Sequence, residues 1–225
     1  MCIRDRLSTY QKFLNQLITY QEGANFLTQS IVLDATDWES KVTTGKGRSY
    51  GIEFTFHKAI GRLTGEINYT WSKATRQFDA INEGEVFDFK FDRPHSFKMN
   101  AVYAVSPKLS LSANWTIQSG VPTTLPISDY TFYSSNLFSP NTVLNYGQKN
   151  NFRLPAYHRL DLECTLFLGK KTGQQVLKLG VYNAYNRQNP LFFRLREKND
   201  GSGEKEFTQV SLLPIMPSLS YAYTF

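Results

Sequence analysis

Leu63–Ser72 reads LTGEINYTWS, and its parity decides the fold. Leu63, Ile67, Tyr69 and Trp71 fall on one parity, and Thr64, Glu66, Asn68, Thr70 and Ser72 on the other. Successive side chains of a strand point to opposite faces, so this period of two predicts a strand with one apolar and one polar face. The same grammar extends in both directions. Upstream, Ile52, Phe54 and Phe56 oppose Glu53, Thr55 and His57. Downstream, Phe97, Met99, Ala101, Tyr103 and Val105 share a parity. Leu109, Leu111, Ala113, Trp115 and Ile117 then oppose Ser110, Ser112, Asn114 and Thr116. Leu160, Leu162, Cys164, Leu166 and Leu168 oppose Asp161, Glu163 and Thr165, and Leu219, Tyr221, Tyr223 and Phe225 oppose Ser218, Ser220 and Thr224. Leu7–Tyr20 and Val176–Asn186 alternate more weakly and complete an expected set of eight strands.

The connections alternate in length. Short ones at 59–62, 106–108 and 170–174 carry Gly61, Pro107 and Gly173, the chemistry of tight hairpins. Long ones run over 21–40, 76–92 and 120–156, with a shorter tip near 199–203. One end of the sheet is therefore tight and the other elaborated. A structureless loop as long as 120–156 is unusual in a compact domain unless it is functional.

Composition removes several classes. The longest run of apolar residues, Ala101–Val105, is far below the roughly 18 that a membrane-spanning helix needs. The 17 Phe, 13 Tyr and 3 Trp supply more buriable surface than a disordered chain carries. Cys2 and Cys164 are too few for a disulfide scaffold. The net charge of +6 is scattered among acidic residues, even in Arg194–Glu206, so no nucleic-acid partner is expected. Met1–Arg6, MCIRDR, resembles a translated sequencing-adapter remnant, and no secretory signal follows it.

Alternation alone does not say which face meets which solvent. In a soluble β protein the apolar parity points inward, whereas in a membrane barrel it meets lipid and the polar parity lines the lumen. A tilted strand of about ten residues spans roughly 23 Å, close to an outer-membrane apolar band. Tyr69, Trp71, Trp115, Tyr221 and Tyr223 lie near strand ends, where interfacial girdles place aromatics. The polar parity carries Glu53, Glu66, Lys98, Asp161 and Glu163, which a dry core would tolerate only if each were paired. Small inward groups such as Ser110, Ser112, Asn114 and Thr116 indicate an interior wider than that of a closed eight-stranded barrel.

Several ordered motifs carry a family resemblance. They are GRSYGIEFTF (Gly47–Phe56), GEINYTWSKATRQF (Gly65–Phe78), FDRPHSF (Phe91–Phe97), SGVPTTLP (Ser119–Pro126), YHRLDL (Tyr157–Leu162), VYNAYNRQNP (Val181–Pro190) and PIMPSLSYAYTF (Pro214–Phe225). Together they closely resemble the C-terminal barrel region of TonB-dependent outer-membrane receptors of the Bacteroidota type. The resemblance implies an all-β, antiparallel transmembrane barrel of about 22 strands, plugged by an N-terminal domain. Residues 7–225 would be its last eight or so strands, with the plug absent. It further implies residence in the outer membrane with lipid as a partner, and uptake of a small ligand such as a metal chelate, vitamin or oligosaccharide. Energy would come from TonB through the missing N-terminal region. Tyr221, Tyr223 and Phe225 would form the signal read by the barrel-assembly machinery, by addition to an exposed strand edge. The same three residues also fit a lipid-facing aromatic girdle.

Other residues invite chemistry and admit a plainer reading. Asp92 and His95 flank Arg93 and Pro94, and Pro94 reads as strand-entry punctuation, with Asp92 and Arg93 pairing at the rim rather than forming an acid–base site. His57, His95 and His158 lack metal-ligand spacing. Asp161 and Glu163 read as part of a solvated charge lattice. No phosphate loop, nucleophile elbow or Cys–His pair is present, so neither an enzyme nor a cofactor is expected. In the longest loop, Tyr130, Phe132, Tyr133, Phe138 and Tyr146 are the candidate ligand contacts, or else they pack the loop against its neighbours. The expected function is that of an import-receptor segment. The alternatives are a self-contained small outer-membrane barrel with an adhesive or structural role and a soluble barrel for an apolar ligand.

Overall fold

The computed structural model describes residues 3–21, 41–133, 140–168, 174–199 and 203–224. Their strands are β1 (Ile3–Tyr20), β2 (Val42–Lys58), β3 (Leu63–Phe78), β4 (Phe87–Asp88), β5 (His95–Ser106), β6 (Leu109–Gln118), β7 (Pro122–Thr123), β8 (Ser128–Tyr133), β9 (Pro140–Asn145), β10 (Phe152–Arg153), β11 (Tyr157–Phe167), β12 (Gln174–Tyr182), β13 (Pro190–Glu197), β14 (Lys205–Ser211) and β15 (Met216–Thr224). The main sheet runs β1-β2-β3-β5-β6-β11-β12-β15, antiparallel throughout and in chain order. These are the strands that carry the alternation, and β1 and β15 are its two edges. Ile3–Arg6 belong to β1 and pair with Thr55–Lys58.

Register turns the alternation of each strand into continuous rows. His57, Glu66, Asn100, Asn114 and Asp161 lie opposite one another across five strands, and Phe56, Ile67, Met99, Trp115 and Leu160 form the adjacent apolar row. A slip of one residue at any pairing would mix the faces. Within the polar row Asn100 donates to Asn114 at 2.7 Å, and next to it Thr55 donates to Asn68 at 2.8 Å.

The apolar face is open. Among the described residues only Phe78, Ile81 and Leu154 are buried hydrophobics, whereas Leu63, Leu111, Leu162, Leu179 and Leu219 are 48%, 45%, 45%, 48% and 71% exposed. A Leu side chain left in water forgoes about 1.5–3 kcal/mol of burial, so a face of this extent requires an apolar solvent. The fold is the wall of a transmembrane β-barrel, and the soluble reading fails for want of a core. No helix among the described residues is long and apolar enough to cross a membrane, which says nothing of crossing by strands.

Two features depart from the sequence expectation. β1, β2 and β3 have 18, 17 and 16 residues rather than about ten, so their upper ends rise beyond an apolar band. Segment 120–156 is also not structureless: β8 and β9 form a hairpin and β7 pairs with β10. Here short ladders bounded by Pro and Gly give no sustained period for the eye to follow.

Candidate functional site

At the elaborated end, β3 overhangs β5, because the last β3–β5 pair is Trp71 with His95 while β3 continues to Phe78. β4 fills the gap, with Thr75 opposite Asp88. Asp92 is 1% exposed and stands at the centre of an ion cluster. Its Oδ1 accepts from the Ala74 amide at 2.6 Å, and its Oδ2 lies 2.6 Å from the Arg153 guanidinium and 3.8 Å from Lys73 Nζ. Asp88 completes the cluster, 2.5 Å from Lys73 and 2.6 Å from Arg153. Burial opposes ionisation of the Asp88 carboxyl, but hydrogen bonds and charge from Lys73 and Arg153 outweigh it and hold the group below the usual carboxylate range.

The cluster joins two long connections. Arg153 also donates to the Asp92 and Gly120 carbonyls at 2.9 Å, and Asn150 donates to the Asp88 carbonyl at 2.7 Å. Asn82 and Lys149 exchange hydrogen bonds at 2.7 and 3.1 Å. Asn82 and Asn150 hold positive φ of 51° and 58°, conformations that Asn tolerates best among residues other than Gly. At Gly120 a Cβ would overlap the Leu154 carbonyl, so the strands β7 and β10 meet there only because the residue is glycine.

A second polar knot fixes the connection between β12 and β15. Asn183 is fully buried; its side chain donates to the Arg187 and Leu213 carbonyls at 3.0 and 3.1 Å and accepts from the Arg187 amide at 2.9 Å. Asn189 and His158 exchange backbone-to-side-chain hydrogen bonds at 3.0 and 2.9 Å. The hairpin β13–β14 stands on this knot and reaches the β8–β9 hairpin, where Lys205 pairs with Asp129. Between them a cleft of about 160 Å³ is lined by Ile127, Ser128, Asp129, Leu195, Lys205 and Phe207.

Of the candidate ligand contacts, Tyr130 and Tyr146 are exposed beside this cleft-bearing hairpin. Phe132 and Tyr133 lie opposite Asn141 and Pro140 in the β8–β9 ladder. Phe138 falls outside the described residues. Tyr221 and Tyr223 are exposed on β15, and Phe225 also falls outside the described residues. Asp92 pairs at the rim with Arg153 and Lys73, whereas Arg93 bonds Gln118. His57, His95 and His158 lie on different strands, and among the described residues no group of three or more His, Cys, Asp or Glu gathers for a metal. Asp161 pairs with Arg159 at 2.9 Å and Glu163 with Lys178 at 3.6 Å, a cross-linked lattice. Sequence reasoning missed Arg153, Asp88 and Asn183, although Asn-rich turns such as NAYNRQN are a signal for side-chain-built connections.

On the polar face a trough of about 620 Å³ runs past His57, Glu66, Asn68, Lys98, Asn100 and Asn114. Its lining is hydrophilic and open, the character of a barrel interior rather than of a catalytic pocket.

No curated protein and no solved structure matches the chain. The family described as TonB dependent receptor-like, beta-barrel matches residues 6–185, which include the sheet from β1 to β12 and the Asp92 cluster. Proteins of this family are outer-membrane transporters rather than enzymes. The exposed apolar face, the hydrophilic inner face and this match agree, and the chain belongs to the TonB-dependent receptor-like β-barrel family.

Proposed function

We propose that the chain builds the wall and outer rim of an outer-membrane import receptor, as a sector of a larger barrel that encloses a plug. The single observation that carries this reading is the exposed apolar face running across the whole sheet, with only three buried hydrophobics beside it among the described residues. Both edge strands are long and unpaired on their outer sides among the described residues, and such edges in lipid demand further strands. In barrels of this class short turns face the periplasm and long loops the exterior. The Asp92 cluster and both hairpins then lie outside the cell, with Tyr130 and Tyr146 placed to meet a small ligand such as a metal chelate, vitamin or oligosaccharide. TonB would act through the plug, and the barrel-assembly machinery on β15.

Cysteine labelling of the intact gene product in whole cells, with Cys164 replaced by Ser, tests this topology. A maleimide too large for porins should label Tyr130→Cys on intact cells, label Lys108→Cys only after the outer membrane is permeabilised, and leave Leu111→Cys unmodified until the barrel is unfolded. Free labelling of Leu111→Cys, or labelling of Lys108→Cys before Tyr130→Cys, would overturn it.

A further inference from the structure

We propose that Lys46 and Arg48 form a docking site for the phosphate of an outer-leaflet lipid headgroup. The inference rests on the wall reading above and assigns that wall a specific lipid contact. On β2 the outward parity reads Phe56, Phe54, Ile52, Tyr50, Arg48, Lys46. Register sets Ile52 opposite Trp71, and Tyr50 meets the Trp71 ring at a centroid distance of 5.8 Å, so these two residues mark the upper aromatic girdle. Arg48 and Lys46 follow at steps of two residues. At about 3.3 Å per residue and a tilt near 45°, they stand roughly 5 and 9 Å above the girdle. A hydrocarbon core of about 30 Å inside a bilayer of about 40–45 Å leaves headgroups about 5–7.5 Å on each side, so Arg48 stands within that layer and Lys46 just above it, within reach through its flexible stem.

The charges there are bare. Arg48 and Lys46 are both exposed, and neither forms an ion pair among the described residues. Instead the Arg48 guanidinium stands 5.6 Å from the Phe13 ring and 5.0 Å from the Tyr50 ring, which hold it on the lipid side of the wall. Phe13 is opposite Arg48 in the β1–β2 ladder, so the aromatic support comes from the neighbouring strand as well as from its own. Lys73, on the same face of β3 opposite Tyr50, behaves differently: Asp88 and Asp92 neutralise it. Lys46 and Arg48 share the outward parity of Ile52 and Phe54, whereas Gly47, Ser49 and, across the ladder, Arg76 hold the inward parity. A planar guanidinium offers phosphate a bidentate fork, and the ammonium adds a point charge.

Quenching of Trp71 fluorescence by brominated lipids tests the site. The intact gene product, with every other tryptophan replaced by phenylalanine, is reconstituted in mixed vesicles carrying bromine on either phosphatidylglycerol or phosphatidylcholine. The native pair should favour the anionic lipid, by roughly fivefold for each basic residue near a charged surface. Lys46→Ala with Arg48→Ala should abolish that preference, Lys46→Arg with Arg48→Lys should retain it, and inorganic phosphate should not displace the lipid. Persistence of the preference in the double alanine variant, its loss in the charge-keeping variant, or its abolition by inorganic phosphate would overturn the proposal. No quenching by either lipid would instead overturn the wall reading, and the accessibility of Leu111→Cys reports on that independently.

Discussion

Asp92 shows what one carboxylate does when the chain folds around it. Its side chain is fully buried, yet it meets a backbone amide and two cations drawn from two other segments, Lys73 and Ala74 from β3 and Arg153 from β10. Removing it leaves the Ala74 amide without its acceptor and Arg153 with Asp88 as its remaining carboxylate, so Asp92→Ala should loosen both long connections by about 3 kcal/mol, the usual cost of breaking a buried ion pair. Hydrogen exchange over 79–94 and 146–154 would rise together in that variant, while exchange in β5 and β6 stays unchanged. Asp88 adds a pH dependence of definite sign. Its carboxyl is held below the ordinary range, so its contribution is present above about pH 4 and is lost as pH falls through the lowered value. The protection factor over 79–94, which removes the intrinsic pH dependence of amide exchange, should accordingly be flat from neutrality down to about pH 5 and should fall in more acidic solution. Asp92 could be singled out in the sequence from the neighbouring Pro94 and His95. Arg153 could not, because no local pattern tells which of 25 basic residues returns from 61 positions away to complete the pair.

Elements separate into those with a period and those without. The eight strands along the path from β1 to β15 are legible, β1 and β12 by a weaker alternation, since a period of two is imposed by two unlike solvents, whereas the two-residue β4 that pairs with β3 is too short to show a period. Strand ends were not legible, because above the apolar band both faces of β1, β2 and β3 meet water and the alternation loses its cause. The hairpins β8–β9 and β13–β14 were hidden for the same reason. Their positions are set by side chains that build turns, and Asn183 is the most committed of these. Asn183→Ala would leave the Arg187 amide unsatisfied in a buried site, at a cost of about 1–3 kcal/mol. Limited proteolysis should then cut the 183–215 connection faster while the β11–β12 ladder resists as before. Gly120→Ala should act on the other connection: the new methyl meets the Leu154 backbone, β7 and β10 must part, and protection of the Leu154 amide should fall.

At the scale of the molecule, the two faces of the wall should respond oppositely to charge. Leu111 and Asn114 sit three residues apart on β6, one on the apolar parity and one on the polar. Leu111→Lys should lower the stability of the membrane-folded intact gene product by about 1–2 kcal/mol, because Leu111 lies three residues from the short turn at Lys108 and the cost of a basic residue falls from about 2–4 kcal/mol at the midplane to about 0–1 kcal/mol at the interface, whereas Asn114→Lys should be tolerated. Urea titration in lipid vesicles, followed by heat-modifiable mobility on a gel, reads both. Equal effects of the two variants would mean that the faces are not lipid and lumen.

The unequal height of the wall has a mechanical consequence. On the side of β1, β2 and β3 the rim is a palisade whose members are tied to one another by long backbone ladders, continuous between β2 and β3 and interrupted by one bulge, between Leu14 and Leu17, where β1 meets β2. On the side of β5, β6 and β11 the strands stop lower, and the remaining height is made of folded connections held by Asp92, Arg153, Asn150 and Asn183. Bending the palisade would break many backbone hydrogen bonds at once, whereas displacing the lower side breaks a handful of side-chain ones. The compliance of this rim is therefore uneven along its length: the same push meets a stiff post at the β1–β3 end and a latched, yielding one over β5, β6 and β11.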